Sequence, residues 1–551
     1  MKGELEAKLA QLNARRQAWC DVGARERAAL LRACIATTLR VAPEWVRLVC
    51  RAKGIDPASE QVGEAWLSGP MTTIRTLRVT AESLLHDAAP SPRRIRRRGD
   101  QIIATVTPQS RLESLSMGGL VGEIWLEPDA AATQGSLYRD SDHPARDVGL
   151  ALVLGAGNVS AIAAKDIVYK LVADNEVVIL KMHPVTSYLT SVFERAFEPL
   201  IAAGYLAICE GGAEVGEFLC GHGLVTSIHL TGSDRTFDAI VWGGSSEEQS
   251  RRKAAGDPLI AKPVTAELGC VTPVLVVPGK WSDREVAYQA ASVAGMVTHN
   301  ASFNCTAAKA VLTAAGWPQR EQFRDALRQA LRDAPPRQAY YPGAQKRYQQ
   351  FVDAYPAAEV LGARPDGAVP WTLLPDVAPL RSEYALSHEA FCGVVADVAV
   401  EGDDAVEFLA AAVRCANEEI WGSLSCNLLV DPRTEKTIGA GLDDAVSKLR
   451  YGATAVNTWG SALFGLATTT WGAFPGNALE EIGSGVGLVG NAMFFDRPQR
   501  SVAYGAFMQW PKPPWWPVHR SLATLGRRWT NFEAHPTWGK LPGFAVAAAR
   551  A

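Results

Sequence analysis

Gly149-Leu-Ala-Leu-Val-Leu154, followed directly by the turn Gly155-Ala-Gly-Asn158, is the stretch that decides the fold of this chain. A short apolar run that ends in a glycine turn is typical of a strand buried on both faces. A helical pattern then runs from Ser160 to Val172, and a second apolar run, Glu176-Val-Val-Ile-Leu-Lys181, comes next. Because such strand–helix–strand units repeat as far as Thr226-Ser-Ile-His-Leu230, we predict an α/β fold whose parallel sheet carries helices on both faces.

Polar residues follow these strands at the edge where parallel sheets bind their ligands. Asn158 follows the first strand, Lys181 ends the second, and Gly232 and Ser233 follow the fourth. Gly155-x-Gly157-x-x-Ser160 resembles a dinucleotide-binding glycine loop with serine in place of the third glycine. A simple glycine turn between strand and helix explains this loop equally well. Lys181 is either an ordinary lysine at the rim of the sheet or a ligand of a cofactor ribose or phosphate.

Composition narrows the class of protein. The chain has 551 residues, which is enough for two or three domains. Its 55 Lys plus Arg and 58 Asp plus Glu residues give a net charge of -3, and this charge does not favour nucleic acid as a partner. The ten cysteines form no C-x-x-C pair and no Cys/His metal spacing, so we expect no metal site. The first residues, Met1 to Glu6, lack the apolar core of a signal peptide, and we expect a cytoplasmic protein with reduced thiols.

A thiol and a carboxylate in two separate segments are candidates for covalent catalysis. Cys305 ends the segment Asn300-Ala-Ser-Phe-Asn-Cys305, and Glu267 begins Glu267-Leu-Gly-Cys270. A cysteine can attack a carbonyl, and a carboxylate can take its proton or activate water. Most cysteines are inert core residues, so the pair alone leaves both interpretations open. The residues Thr306-Ala-Ala-Lys-Ala-Val-Leu312 are predicted to form a helix, whose N-terminus would stabilise a thiolate.

The order of these motifs resembles that of the aldehyde dehydrogenase superfamily, over roughly residues 20 to 505. The strongest matches are the segments around Glu267 and Cys305. The supporting positions are Asn158, Lys181, Gly232, Ser233, the Glu-x-Phe motif of Glu389 and Phe391, Asn417-Glu-Glu-Ile-Trp-Gly422 and Val456-Asn457. Two departures are Cys270, where the family has a second glycine, and Ser302-Phe-Asn304, where the family commonly has Gly-Gln-x.

The resemblance implies two parallel-sheet α/β domains and a small discontinuous β part that joins subunits. The NAD(P)-binding domain would comprise residues 1–116 and 148–264, and the catalytic domain residues 265–485. The β part, together with the C-terminal tail, would comprise residues 117–147 and 486–551. A homodimer or homotetramer is therefore expected.

The resemblance also implies a chemistry. Cys305 would attack an aldehyde, and the Asn158 amide would hold the oxyanion of the resulting thiohemiacetal. Hydride transfer to NAD or NADP would leave a thioester on Cys305, and Glu267 would activate the water that hydrolyses it to the acid.

The same resemblance assigns the cofactor contacts. Lys181 and Glu389 would hold ribose hydroxyls, Gly232 and Ser233 would lie near the pyrophosphate, and Phe391 would pack near the nicotinamide riboside.

Cofactor preference is predicted from the residues after Lys181. NAD-specific members of the family often place a glutamate three residues after this lysine, where its charge repels a 2′-phosphate. This chain has Pro184 there, and Lys181 and His183 could favour a phosphate. We therefore expect NADP to be accepted.

The C-terminal tail is rich in tryptophan and proline, beginning with Trp510-Pro-Lys-Pro-Pro-Trp-Trp516. It could be a lid over a bulky apolar substrate, an arm packed on a neighbouring subunit, or an interfacial membrane contact. Together with Trp459, Phe464 and Trp471, it indicates a large hydrophobic or aromatic aldehyde.

Two alternatives to hydrolytic oxidation remain. One is an acylating enzyme that passes the acyl group to coenzyme A or runs as an acyl reductase. The other is a catalytically silent binding or assembly subunit.

Overall fold

Helices form the first part of the chain. The computed structural model describes residues 2–140 and 148–551. The first helices are α1 (Lys2–Asp21), α2 (Ala24–Ala52), α3 (Val62–Trp66) and α4 (Thr72–Leu84), with a π-helical turn at Leu67–Met71 between the last two. Apolar residues at helical spacing form the buried face of α2, including Leu31, Ile35 and Trp45, which predicts its amphipathic packing.

Three strands and two short helices come next, and they connect to the first parallel sheet. They are β1 (Arg94–Arg98), β2 (Gln101–Thr107), α5 (Arg111–Ser116), β3 (Val121–Leu126) and α6 (Ser136–Arg139). The elements of the first parallel sheet are β4 (Leu150–Leu154), α7 (Ile162–Val172), β5 (Val177–Lys181), α8 (Thr190–Ala196), α9 (Glu198–Ala202), β6 (Leu206–Cys209), α10 (Ala213–Gly221), β7 (Ser227–Thr231), α11 (Asp234–Val241), α12 (Ser246–Ala255) and β8 (Val264–Glu267).

A second run of alternating strands and helices follows. Its elements are β9 (Thr272–Val276), α13 (Asp283–Thr298), β10 (Ala308–Ala314), α14 (Arg320–Asp333), α15 (Ala344–Ala354), β11 (Glu359–Leu361), β12 (Trp371–Val377), α16 (Tyr384–Ser387), β13 (Val394–Val400), α17 (Ala405–Glu418), β14 (Ser425–Leu429), α18 (Pro432–Ile438), α19 (Ala440–Lys448) and β15 (Ala453–Val456). The remaining elements are α20 (Ser461–Leu466), β16 (Thr470–Gly472), β17 (Gly485–Val486), β18 (Leu488–Gly490), β19 (Pro498–Tyr504), α21 (Leu522–Ala534) and α22 (Leu541–Ala549).

The strands form two large sheets. One has six strands in the order β17-β8-β7-β4-β5-β6, in which all neighbours except β17 and β8 are parallel. The other has eleven strands in the order β1-β2-β3-β19-β15-β14-β9-β10-β13-β12-β11, parallel from β19 to β12 and antiparallel at both ends. The predicted α/β fold with parallel sheets is confirmed.

One secondary-structure prediction is wrong. Residues Thr306 to Leu312 do not form a helix, because Ala308–Ala314 is the buried strand β10 between β9 and β13. Alanine and lysine favour a helix locally, but burial between two strands outweighs that preference. The thiol of Cys305 therefore lies in a loop, and the helix N-terminus that was expected to stabilise its thiolate is not formed.

The three-part division stays a prediction, with one difference in strand pairing. Strands β1 and β2, which it assigned to the first domain, pair with each other and with β3 in the eleven-stranded sheet. Residues 141–147 of the predicted segment 117–147 lie outside the described residues. Across residues 2–140 and 148–551, no helix is long and apolar enough to cross a membrane.

Candidate active site

A cavity of about 1260 Å³ opens at the carboxyl ends of β4, β5, β7 and β8. Every residue that the sequence selected for a site lines this cavity: Asn158, Lys181, His183, Gly232, Ser233, Glu267, Cys305, Glu389 and Phe391. The carboxyl ends of parallel strands gather loops and helix N-termini, which explains why residues far apart in the sequence meet here. The structure therefore brings all nine together, and their individual roles remain predictions.

Cys305 lies in a tight loop between α13 and β10. A capping box formed by Ser282 and Glu285 begins α13. Shortly after the end of this helix, three consecutive residues have positive φ values, which are 54° at Asn300, 55° at Ala301 and 69° at Ser302. Left-handed backbone at non-glycine residues is strained, so surrounding contacts must hold this loop. Burial raises the pKa of the Cys305 thiol well above its usual value, and the nearby negative charge of Glu267 raises it further. The resting cysteine is a thiol that needs a base.

Glu267 ends β8 and is 3% exposed. Burial raises the pKa of this carboxyl to about 7, and the negative charge of Asp166 adds to the effect. The Cys305 thiol and the Trp471 indole lie beside the carboxyl and act in the opposite direction. These contacts are loose, because within the described residues neither Glu267 Oε2 nor Trp471 Nε1 makes a hydrogen bond of ordinary geometry. A carboxyl that titrates near neutral pH and has an unpaired oxygen suits a general base.

The Asn158 amide lies next to the same loop. Its Nδ2 donates to the Phe303 carbonyl at 3.0 Å, and its backbone carbonyl accepts hydrogen bonds from Lys53 and Tyr340 at 2.8 and 3.2 Å. In the part of the chain that the structure describes, the Phe303 carbonyl is the one acceptor for the side-chain amide of Asn158. Because an amide nitrogen carries two protons, the other N–H can meet an oxyanion that forms on a substrate of Cys305.

A buried charged network beneath this loop was missed by sequence reasoning. Lys53 Nζ, at the end of α2, donates to Asn300 Oδ1 at 2.8 Å in addition to the Asn158 carbonyl. Burial lowers the pKa of Lys53 to about 7. Glu64 pairs with Arg337 through two bonds of 2.7 and 2.8 Å nearby. Lys53 thus connects Asn158 to the strained loop at Asn300 through two hydrogen bonds. The sequence around Lys53 contains no motif that would predict this role.

Glu389 is a buried carboxyl with an unpaired oxygen. Within the described residues its Oε1 has no hydrogen-bond partner, and burial raises its pKa to about 8 although the charge of Lys309 opposes this. The carboxyl lies so close to Gly269 that a Cβ there would be 2.0 Å from Glu389 Oε2. Lys309 itself donates to Ser302 Oγ at 2.7 Å. An orphaned carboxyl that lines a cavity fits a ligand with hydroxyl groups.

Another part of the cavity wall is suited to phosphate groups. Ser233 caps α11 by accepting a hydrogen bond from the Thr236 amide, so the preceding Gly232 lies at a helix N-terminus that faces the cavity. Lys181 reaches the same cavity, and burial lowers its pKa. Burial also lowers the pKa of His183, whose Nδ1 accepts a hydrogen bond from the backbone amide two residues later. Burial therefore favours the neutral form of the His183 imidazole.

A second cavity, of about 210 Å³, lies on the other side of Cys305. Cys305 and Ile162 line both cavities. The walls of the second cavity include Trp459, Phe464 and Trp471, which sequence reasoning linked to a hydrophobic substrate, and two tryptophans of the C-terminal tail, Trp515 and Trp529. Cys305 therefore stands between a polar cavity at the sheet edge and a smaller cavity rich in aromatic residues.

Residues 146–343 match the sequence profile of the aldehyde dehydrogenase family. No curated protein sequence matches the chain at a significant level. The chain is similar to the solved structure of the aldehyde dehydrogenase KauB from Pseudomonas aeruginosa, with a TM-score of 0.63 and 16% identity over 91% of this chain and 88% of that chain.

Two further solved structures are similar to this chain to about the same degree. An NAD-dependent aldehyde dehydrogenase from Sinorhizobium meliloti has a TM-score of 0.62 and 16% identity over 93% of this chain and 88% of that chain. An NADP-dependent glyceraldehyde-3-phosphate dehydrogenase from Bacillus halodurans, complexed with NADP, has a TM-score of 0.59 and 17% identity over 91% of both chains. At such low identity, these similarities show that the fold is shared.

Proposed function

From the premise that this chain belongs to the aldehyde dehydrogenase superfamily, whose enzymes oxidise aldehydes with NAD or NADP, we propose that it oxidises a hydrophobic or aromatic aldehyde to the carboxylic acid. The observation that carries the proposal is the position of Cys305 beside Glu267, where the polar and the aromatic-rich cavities meet.

The first step is the attack of the Cys305 sulfur on the aldehyde carbon. The thiol is protonated at rest, so its proton passes to the Glu267 carboxylate as the carbon–sulfur bond forms. The carbonyl π electrons move onto oxygen, and the Asn158 amide donates a hydrogen bond to that oxyanion. With a pKa of about 7, Glu267 is ionised in about half of the molecules at neutral pH, which is enough to supply the base.

The residues of the larger cavity fit a nicotinamide dinucleotide. Bound NAD or NADP supplies the acceptor for the hydride that leaves the substrate carbon. The unpaired carboxyl of Glu389 would accept a ribose hydroxyl, and Lys181 would hold the other ribose. Gly232 and Ser233, at the N-terminus of α11, would face the pyrophosphate, and Phe391 would pack beside the nicotinamide riboside.

Hydrolysis completes the cycle and uses Glu267 again. Glu267 first releases the thiol proton to solvent, and its ionised carboxylate then takes a proton from water as the resulting hydroxide attacks the thioester carbon on Cys305. The carbon–sulfur bond then breaks, the acid leaves, and the sulfur regains its proton. The unpaired Glu267 Oε2 supports this role, because it offers an acceptor for a water molecule beside the sulfur.

NADP is the cofactor that we expect to be accepted beside NAD. Pro184 lines the cavity where a carboxylate would repel a 2′-phosphate, and Lys181 supplies a positive charge nearby. Burial lowers the pKa of His183 and favours its neutral form. The absence of a carboxylate at position 184, rather than attraction by His183, therefore supports the use of NADP.

Assembly and location stay proposals as well. A homodimer or homotetramer is supported by β1, which forms an edge of the eleven-stranded sheet and leaves one side of its backbone available to another subunit. Size-exclusion chromatography with light scattering tests the oligomer. A cytoplasmic location remains a prediction from the sequence.

The test follows the absorbance of the reduced cofactor. Purified protein is mixed with small, aromatic and long-chain aldehydes and with NAD or NADP, in the presence and absence of coenzyme A. Turnover without coenzyme A, abolished by Cys305→Ala, is the expected result. Turnover that requires coenzyme A would instead favour an acylating enzyme. No reduced cofactor under any condition would favour a silent subunit and would overturn the proposed function.

A further inference from the structure

The smaller cavity beside Cys305 has walls from several separate parts of the chain. They are the π-helical turn at Leu67–Met71, residues 117–120, residues 159–162, the Cys305 loop at residues 299–306, residues 458–471, residues 505–506 and the C-terminal tail. The tail residues that line it are Gln509, Pro514, Trp515 and Trp529. The tail therefore packs on its own chain and closes a space that ends at the proposed nucleophile.

Trp515 is held firmly against α13. Its Nε1 donates to Ser292 Oγ at 3.2 Å, and its ring lies edge-on to Trp459 with 6.0 Å between centroids. The backbone approaches so closely that a Cβ at Gly295 would lie 2.2 Å from the Trp515 carbonyl oxygen. The neighbouring Trp516 packs on Tyr288 at 4.8 Å between ring centroids. This part of the wall is a packed surface rather than a loose lid.

Trp529 is held from the other side by a buried ion pair. Its Nε1 donates to Glu533 Oε1 at 3.1 Å. The Glu533 carboxylate is fully buried and pairs with Arg75 of α4 at 3.0 Å and with Arg78 at 2.5 Å. Helix α21, which carries Trp529 and Glu533, also lies against α3, where a Cβ at Gly63 would be 2.3 Å from the backbone of the tail. The position of Trp529 is thus fixed by charge pairing and by close helix packing.

The chemistry of the lining defines what can enter. Among the described residues that line this cavity, none is Asp, Glu, Lys or Arg. The polar lining residues have uncharged hydroxyl or amide side chains, apart from His299. An anionic substrate group would therefore lose its hydration without gaining a cation. The volume of about 210 Å³ is a little larger than the cavity of about 150 Å³ that holds one benzene in another protein. The volume is therefore sufficient for one aromatic ring.

We propose that Trp515 and Trp529 of the C-terminal tail are specificity-determining residues, which restrict the substrate to an uncharged aldehyde with one aromatic ring or an apolar group of similar size. This inference rests on the proposed function in assuming that the aldehyde occupies the smaller cavity. Aromatic side chains supply large contact areas and edge-to-face geometry that suit an aromatic ligand. The tail thus selects the substrate, and Cys305 performs the chemistry.

Turnover of four aldehydes by tail variants tests the inference. We expect wild type to favour phenylacetaldehyde over succinic semialdehyde and 2-naphthaldehyde by at least about tenfold in kcat/KM. Trp515→Ala and Trp529→Ala should each reduce kcat/KM for phenylacetaldehyde by at least about tenfold, mainly through KM, and should reduce it less for propanal, which contacts less of the cavity wall. Both should gain activity on 2-naphthaldehyde, which a misfolded variant cannot do. Trp538→Ala is the matched control, because Trp538 is a tail tryptophan that is 59% exposed and does not line the cavity.

A binding measurement separates this inference from the proposed function. In the Cys305→Ala background, calorimetric titration with phenylacetamide should give a Kd that rises at least about tenfold in Trp515→Ala and Trp529→Ala and is unchanged in Trp538→Ala. Failure of wild type to oxidise any aldehyde, with this binding pattern intact, would overturn the proposed function alone. Equal Kd values in all variants, or phenylacetate binding as tightly as phenylacetamide, would overturn the inference.

Discussion

Hydrolysis of the acyl group on Cys305 should titrate near neutral pH, because it depends on the Glu267 carboxylate. The groups around this carboxyl include Asp166 and Lys165 from α7, His229 from β7, Trp471 from β16 and the Cys305 thiol. Burial is the main cause of the raised pKa of Glu267, and the Asp166 charge is the second. Asp166 is itself buried, with its Oδ1 3.5 Å from His229 Nε2.

The size of the effect follows from the pKa of about 7. Only about one tenth of the Glu267 carboxyl is ionised at pH 6, against about nine tenths at pH 8, so hydrolysis should be about tenfold faster at pH 8. Asp166→Asn removes a negative charge and should lower the pKa of Glu267. The variant should therefore retain more of its rate at pH 6 than wild type does.

The assay isolates hydrolysis by acylating Cys305 with p-nitrophenyl acetate, without cofactor. The fast release of p-nitrophenol reports acylation, and the slow phase reports hydrolysis, both followed at the isosbestic wavelength so that pH does not change the signal. Glu267→Gln should keep some acylation and lose the slow phase. Asp21→Asn, at an exposed position on α1, is the control for a changed aspartate. A slow phase of equal rate at pH 6 and pH 8, or a midpoint that rises in Asp166→Asn, would refute the assignment of Glu267.

Four further outcomes are expected. Cys305→Ala should lose at least about a thousandfold of aldehyde turnover while calorimetry shows unchanged NADP binding, and near-normal turnover would move the nucleophile elsewhere. Because the pKa of Glu267 in the fold, about 7, lies above its unfolded value, stability should fall as the pH rises from about 4.5 to 7. Glu267→Gln should therefore increase the free energy of unfolding relative to wild type, by up to about 3 kcal/mol at pH 8 and by less at pH 5. The melting temperature should rise more at pH 8 than at pH 5, and an equal rise at both pH values would contradict this. Gly269→Ala would place a methyl group 2.0 Å from Glu389 Oε2, so KM for the cofactor should rise at least about tenfold in steady-state assays, while alkylation of Cys305 by iodoacetamide persists. Pro184→Glu should reduce kcat/KM for NADP relative to NAD by at least about tenfold, and an unchanged ratio would show that this position does not govern cofactor choice.

The sequence predicted the elements whose pattern is local. The run from Gly149 to Leu154 is apolar throughout and has a length typical of a buried strand, and β4 lies there. The turn after it and the strand that ends at Lys181 were predicted for the same reason. The gathering of the site residues in one cavity followed from the rule that parallel strands present their carboxyl ends together.

The features that the sequence did not predict depend on contacts between distant segments. Thr306 to Leu312 has a helical composition, and only burial between β9 and β13 makes most of it a strand. Lys53 ends a helix in a region without any motif, and its role appears only when the loop at Asn300 folds against it. The tail tryptophans were noticed for their composition, but one sequence could not distinguish a wall of the cavity from an arm on another subunit.

The cavity wall joins residues that leave the ribosome far apart in time. Leu67 and Met71 emerge early, and Trp529, which packs against the same apolar cluster and lines the same cavity, emerges hundreds of residues later. At synthesis rates of about 5–20 residues per second, the interval is about 20 to 90 s. During this interval the apolar patch that Leu522, Leu525 and the rest of the tail will cover stays exposed on the nascent chain. The smaller cavity is therefore completed late in synthesis, and folding of the earlier segments has to proceed with that patch open to chaperones and to aggregation.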